Sequence, residues 1–241
     1  MAINTGSFAK ALWPGVNSWY GQAYDEHGVE YTDLFNTESS RKAYEEDMGT
    51  SMFGLAAVKP EGGQITYDTA QQGFLTRYTH VTYGLGFIIT REMVDDDLYD
   101  IIGKKRAQGL AFSMRQTKEI IAANVYNNAF DSTYSGGDGK ELLATDHPTI
   151  MGAAFANENT AATLSEASLE DLSIDIMQAK NDRGLNISLI PDCLIINPEL
   201  VYEADRILNS PLRVGTANND LNALRNMGKF PGGVKVNHYL T

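Results

Sequence analysis

Hydrophobic and polar residues alternate over a long stretch in the first half of the chain, from about residue 52 to residue 90. From Phe74 to Ile89 the side chains follow a period of two. One face carries Leu75, Val81, Tyr83, Leu85, Phe87 and Ile89, and the other carries Phe74, Thr76, Tyr78, His80 and Thr82. This alternation is typical of a β-strand. Residues 59–63, Lys-Pro-Glu-Gly-Gly, supply the reversal, because proline presets φ and glycine accepts positive φ. The pattern predicts a long two-stranded hairpin.

The period changes to three or four residues from about residue 91 to residue 130, which indicates an amphipathic helix. Thr90 occupies the N-cap position, acidic residues crowd the first turns and basic residues follow later, as the helix dipole favours. The apolar stripe predicted to be buried consists of Val94, Leu98, Ile101, Met114, Thr117, Ile121 and Val125. An unbroken helix here would span on the order of 60 Å. Gly103 and Gly109 would permit a bend in it.

The predicted hairpin and helix are both too long to be covered within one small subunit. A hairpin does not hide its own faces from water, and a helix of this length extends beyond the core of a small domain. We therefore expect both elements to be covered by other subunits.

The first 48 residues hold large aromatic side chains, among them Trp13 and Trp19, without a sustained period. These large side chains need to be buried, but the segment shows no helix or strand of its own that could bury them. We therefore interpret it as an extended arm that packs on another subunit. The alternative is an ordinary N-terminal subdomain with two short helices, near residues 5–12 and 38–48.

After Phe130 the composition shifts to loops and short elements. Ser168 to Asp171 resembles the start of a capped helix that Gly184 can end. A strand through residues 194–196 is followed by Asn197 as N-cap and Pro198 at the first helical position, with that helix ending near Asn209. A short helix at 221–225 and a final strand, VKVNHYL, complete the sequence. Helices flanking strands place this half of the chain in an α+β or α/β layer.

Composition narrows the class of protein. With 241 residues, of which 43% are hydrophobic, the chain is long enough to form one large domain or two small ones. The net charge of −12 argues against a protein that binds nucleic acid over its whole surface. Cys193, the single cysteine, excludes an intrachain disulfide and suits a reducing cytoplasm. The N-terminus lacks the apolar region of a signal peptide, and no run of 18 apolar residues occurs, so no membrane segment is expected.

The sequence contains few candidates for a catalytic, metal or cofactor site. Asp138, Asp146 and His147 form the one cluster with the ligand types of a metal site, but their spacing matches no strong motif, and His147-Pro148 fits a turn equally well. Residues 95–97, three aspartates, are explained by the helix dipole. Residues 84–86, Gly-Leu-Gly, lack the remainder of a dinucleotide fingerprint. The sequence therefore predicts no enzymatic activity, no metal and no cofactor.

An ordered series of segments resembles the major capsid protein of tailed bacteriophages, in particular the Mu-like major head subunit group. The segments are PEGG, YTHVTYGLGFIITREMVDDDLYDII, VYNNAF, SGGDGKELLATDHPT and LIPDCLIINPELVYEADRILNS. They run in order from about residue 50 to the end, and no single segment is decisive. The resemblance implies a Hong Kong 97-like capsid fold. In it, residues 1–48 are the N-terminal arm and 49–90 the extended β-hairpin called the E-loop. Residues 91–130 are the spine helix of the peripheral domain, and 131–241 are an α/β axial domain with peripheral-domain strands.

The resemblance also implies a function. The chain is expected to assemble into pentamers and hexamers of an icosahedral shell, which encloses double-stranded DNA without reading its sequence. Scaffolding, portal and decoration proteins would be partners, and the protein would belong to the virion after assembly in the cytoplasm of a bacterial host. The subunit interface is expected to include the following residues of the arm and E-loop: Trp13, Trp19, Lys59, Pro60, Gly62, Gly63, Phe74, Arg77 and Tyr78.

The sequence leaves two other functions open. An encapsulin-like compartment shell has the same fold and would enclose a cargo enzyme in place of nucleic acid. A metal-dependent hydrolase would use Asp138, Asp146 and His147. Relatives of the capsid group usually continue past the segment that matches VKVNHYLT, so we expect either a C-terminal part beyond this sequence or another chain that completes the final sheet.

Overall fold

The computed structural model describes residues 9–90, 92, 96, 99–213 and 220–241, with the backbone alone for residues 9–15, 99 and 100. The described residues fall into two compact units. The first comprises those of Met1–Glu38 and Val81–Val125, and the second comprises those of Ser39–His80 and Tyr126–Thr241.

The first unit is helical. It contains α1 (Ala9–Glu26), α2 (Tyr31–Leu34), a single π-helical turn (Tyr99–Gly103) and, directly after it, all but the last two residues of α3 (Lys104–Asn127). The prediction of an extended arm is wrong for residues 9–26, which form a helix of 18 residues. The alternative with a second helix at 38–48 is also wrong, because that region leads into a β-strand.

The helix α3 confirms a long helix within the predicted range of residues 91–130. The predicted first turns, with Val94 and Leu98, lie largely outside the described residues. The predicted buried stripe is wrong in part, since Ile101, Ile121 and Val125 are exposed. The buried row follows steps of four residues instead: Ala107, Ala111, Arg115, Glu119 and Ala123. Small alanine side chains let the backbone of a neighbouring segment approach closely, which larger apolar residues would prevent.

A hairpin is present in the second unit, but its predicted first strand is wrong, because residues 52–58 form no strand and the first strand lies earlier in the chain. Its strands are β1 (Tyr44–Thr50) and β2 (Gln72–Thr79), paired antiparallel with Tyr44 opposite Thr79 and Thr50 opposite Gln72. The last bond across the pair runs from the His80 amide to the Ala43 carbonyl. Residues 81–90, all of which the structure describes, belong to no strand, because residues 39–43 before β1 are themselves not in a strand that could pair with them.

The rest of the second unit follows the predicted order of elements. It contains α4 (Glu166–Gln178), β3 (Cys193–Ile196), a 3-10 turn (Pro198–Leu200), α5 (Val201–Asn209), α6 (Ala223–Met227) and β4 (Gly233–Val236). β3 and β4 pair in parallel. Leu169, Ile207 and Leu224 form the buried core between the helices, and Leu164, Leu194, Leu208 and Phe230 pack around them.

Local capping signals explain where these helices start. Ser165 and Ser168 form a reciprocal capping box on α4, three residues before the predicted start. Asn197 and Pro198 begin the 3-10 turn as predicted, and the Asn222 side chain accepts from the Arg225 amide to cap α6. α4 ends at Gln178, earlier than Gly184, which has a φ of 78° in the following turn. None of the helices within the described ranges has the length and apolar character needed to span a membrane.

Candidate assembly surface

The loop between β1 and β2 presents large apolar side chains to solvent. Leu55, Val58 and Tyr67 are 83%, 95% and 89% exposed, and Phe53 and Ile65 are also exposed. Monomeric soluble proteins rarely leave a contiguous apolar segment of this kind uncovered. The loop therefore has the composition of a surface that another molecule covers.

The tip of this loop is the tight turn that the sequence predicted. The Gly63 amide donates to the Pro60 carbonyl over 3.0 Å, and Gly62 has a φ of 75°, a conformation that glycine adopts without strain. Lys59 and Pro60 are exposed, whereas Gly63 is half-buried. The turn fixes the direction of the chain at the tip and leaves its polar side chains in solvent.

The paired strands behind the loop expose aromatic residues as well. Phe74 and Tyr78 are both exposed on β2. Arg77, predicted to contact a neighbour, lies over the Tyr44 ring at 4.4 Å, and its Nε donates to a Glu46 carboxylate oxygen at 2.8 Å. Both partners lie on β1, so within the subunit Arg77 stiffens the hairpin.

The predicted arm residues Trp13 and Trp19 both lie in α1. Trp19 is half-buried, and the structure describes Trp13 only through its backbone. The end of α1 and the chain after it are held by two buried charged residues of α3, Arg115 and Glu119, which sequence reasoning missed.

The Glu119 carboxylate accepts from the backbone amides of Glu30, at 3.3 Å, and Tyr31, at 2.8 Å, where α2 begins. A negative charge is favoured at this position because the first amides of a helix lack partners within it. The Arg115 guanidinium lies 4.0 Å from the centre of the Tyr24 ring and donates to the Tyr24 carbonyl at 3.1 Å. These two residues fix residues 24–31 on α3.

Two of the candidate metal ligands, Asp138 and His147, contact each other, and the third, Asp146, has a different partner. His147 Nδ1 lies 2.7 Å from an Asp138 carboxylate oxygen, and Nε2 lies 3.1 Å from the side-chain oxygen of Asn157. Asp146 instead accepts from Lys140 Nζ at 2.6 Å. In the part of the chain that the structure describes, no three acidic, histidine or cysteine residues come together as a metal would require.

The contacts of the Asp138–His147 pair indicate a structural role. Desolvation by burial acts to raise the pKa of Asp138, but the hydrogen bonds from His147 and from the Lys140 amide outweigh it and hold that pKa below its ordinary value. His147 also stacks on Phe155 at 5.1 Å and exchanges two backbone hydrogen bonds with it. This histidine joins two parts of the loop at 136–157.

Comparisons with known proteins agree on the class of this chain. The family of phage capsid proteins matches residues 74–241, which is more than half of the sequence. No curated protein matches.

Three similar structures all come from bacteriophage JBD30. A chain of its procapsid is 14% identical with a TM-score of 0.63, and the match covers 98% of this chain and 99% of that one. A chain of its capsid is 11% identical with a TM-score of 0.65, and the match covers 84% of this chain and 88% of that one. A chain of the capsid decorated with minor capsid protein trimers is 13% identical with a TM-score of 0.63, and the match covers 89% of this chain and 92% of that one. These identities are low, so the likeness concerns the fold, and together with the family match it shows that the chain belongs to the phage capsid protein family.

Proposed function

We propose that this phage capsid protein is the major head subunit of a tailed bacteriophage, and that it assembles into the pentamers and hexamers of an icosahedral shell around double-stranded DNA. Its fold is then of the Hong Kong 97-like kind, with residues 1–48 as N-terminal segment, 49–90 as E-loop, 91–130 as spine helix and 131–241 as axial domain with peripheral strands. The activity is association and involves no catalysis.

The exposed apolar loop between β1 and β2 carries this proposal. Leu55, Val58 and Tyr67 contribute nothing to the core of the subunit. Burying them against a neighbouring subunit removes apolar area from water, which stabilises association by about 25 cal/mol per Å² before its entropic costs. Aromatic anchors such as Tyr67 and Tyr78 are the residue types that dominate interface energies.

The charge of the chain fits a container for nucleic acid. With a net charge of −12, a shell of this protein repels the phosphate backbone over most of its surface, so packaged DNA would be held loosely and without sequence preference. Scaffolding, portal and decoration proteins are the proposed partners. The proposed location is the virion, after assembly in the bacterial cytoplasm.

Sedimentation and negative-stain microscopy of the purified protein test this function. We expect capsomers or closed shells of megadalton mass, either from the protein alone or with a scaffolding partner. A species that stays monomeric under every assembly condition would contradict the proposal. Shells that contain a cargo enzyme in place of nucleic acid, when isolated from the native source, would identify an encapsulin-like compartment instead.

A further inference from the structure

Two adjacent charged residues, Asp182 and Arg183, lie on a tight turn at the base of the hairpin loop. The turn is closed by the Asn181 amide donating to the Leu185 carbonyl at 2.8 Å. The Asn181 side-chain oxygen accepts from the amides of Arg183, at 3.0 Å, and Leu185, at 2.8 Å. The turn also packs closely on its surroundings, since a Cβ added at Gly152 would lie 2.6 Å from the Asp182 carbonyl oxygen. Both charged side chains therefore project from a fixed support.

The two side chains hold the outgoing limb of the loop through Met52. The Asp182 carboxylate accepts from the Met52 amide at 3.2 Å, and Arg183 Nε donates to the Met52 carbonyl at 3.0 Å. Both backbone groups of Met52 are thus bound by consecutive side chains of another segment, as a partner strand would bind them.

Arg183 also holds the returning limb. Its Nη2 donates to the Thr69 carbonyl at 2.9 Å and to an Asp68 carboxylate oxygen at 3.2 Å. The other Asp68 oxygen accepts from the Gly54 amide at 2.8 Å, which joins the two limbs directly. The amides of Gly54 and Thr69, with the nearby Arg183 charge, hold the pKa of Asp68 below its ordinary value. One guanidinium therefore bridges both limbs of the loop.

These contacts lie at the base of the loop, where they can set its direction. The β1–β2 pairing ends at Thr50 and Gln72, and residues 55–67 form no strand. A two-stranded ribbon is weakly stable in water and bends readily, so its direction is set where it is attached. The Arg183 side chain is 17% exposed and its contacts are correspondingly shielded, unlike an ordinary surface ion pair.

We infer that Asp182 and Arg183 are positioning residues that aim the hairpin loop at the neighbouring subunit. This rests on the proposed function, in which the exposed loop is an intersubunit contact. The pair contributes to assembly by holding the loop in one direction before contact, which lowers the entropic cost of binding.

The test compares Arg183→Ala with Arg206→Ala. Arg206 is a matched control because it also bonds a carboxylate, that of Glu203, and a backbone carbonyl, that of Tyr202, but it lies in α5 and is 65% exposed. Hydrogen exchange read by mass spectrometry reports on residues 52–69, circular dichroism on the fold, and electron microscopy on the shells.

For Arg183→Ala we expect a folded subunit and exchange at residues 52–54 that is about tenfold faster than in the unmodified protein, as loss of a charged hydrogen bond implies. Closed shells of uniform diameter should be lost in favour of irregular or open assemblies. Arg206→Ala should match the unmodified protein in both measurements.

Unchanged exchange, or shells of normal number and diameter, would overturn the inference. If the alanine variant fails to fold, Arg183→Lys replaces it, because lysine keeps the charge but lacks the fork that bridges two limbs. Failure of both variants to fold would also overturn the inference, since Arg183 would then stabilise the core of the subunit. If the unmodified protein forms no shells, the proposed function fails, and exchange still decides whether Arg183 anchors the loop.

Discussion

At the scale of single residues, the most informative positions are charged side chains that the structure buries. Arg115 and Glu119 lie in the buried row of α3. A sequence pattern predicts apolar residues at such positions, because charged side chains are rarely buried without partners. Their partners are backbone groups of Tyr24, Glu30 and Tyr31, some ninety residues away in sequence. The local sequence does not reveal contacts at that separation. The available signal was the four-residue spacing that places both charges in line with Ala107, Ala111 and Ala123.

Replacing Glu119 by alanine tests this clamp. Glu119 is 1% exposed, and its loss leaves the amides of Glu30 and Tyr31 without their acceptor. We expect the free energy of unfolding, measured with urea, to fall by about 1–3 kcal/mol. Gln108→Ala is the control, because Gln108 is an exposed polar residue of the same helix, and it should change stability by less than about 0.5 kcal/mol. Equal effects in the two variants would show that the clamp does not stabilise the subunit.

The Asp138–His147 pair predicts a dependence of stability on pH. The pKa of Asp138 is lowered in the folded protein, so the carboxylate binds protons less readily than in the unfolded chain. Its contribution to stability is therefore fully present above the unfolded pKa of about 3.9 and is lost as the pH falls through the lower folded value. The difference in unfolding free energy between the unmodified protein and Asp138→Asn should shrink as acid is added below that pH. A constant difference would contradict the pairing.

At the scale of elements, the sequence predicted correctly those helix and strand boundaries that are set by neighbouring residues. Asn197 and Pro198 mark the start of the turn before α5, and the strand before them was found because its apolar run is short and bounded by turn residues. The sequence predicted a hairpin, but not the residues at which its strands begin and end. Alternation continues to Ile89, yet a strand extends only as far as its partner, and nothing in residues 81–89 records where the partner begins.

Two neighbouring positions on α3 should respond to substitution with opposite sign. Gly109 is exposed, with open space around an added Cβ, so Gly109→Ala should raise stability by about 1 kcal/mol through helix propensity. Ala111 is fully buried, so Ala111→Leu should lower stability by about 1–3 kcal/mol through overpacking. Thermal unfolding of both variants measures the two effects. A destabilising Gly109→Ala would show that the helix bends at this glycine.

At the scale of the whole molecule, the sequence indicated the correct class of protein for two independent reasons. The hairpin and helix were too long for one subunit to cover, and an ordered series of segments resembled a capsid group. The family match over residues 74–241 agrees with the second reason, whereas the cover by other subunits in the first reason stays a prediction. The assignment of individual residues to a subunit interface stays a prediction, because a contact between copies is a property of the assembly.

The hairpin loop supplies the test at this scale. Replacing residues 55–67 with a short Gly-Ser turn removes the exposed apolar side chains and keeps the bond between Gly54 and Asp68. A second variant keeps the length of the loop and changes Leu55, Val58 and Tyr67 to serine.

Because these three side chains are 83%, 95% and 89% exposed, neither change should alter the stability of the subunit by more than about 0.5 kcal/mol. Both changes should abolish stable shells, because they remove the apolar area that a neighbour would bury. Circular dichroism and sedimentation on the same sample read the two effects. Normal shells from the serine variant would show that the apolar loop is no intersubunit contact, and an unfolded subunit would show that the loop belongs to the core.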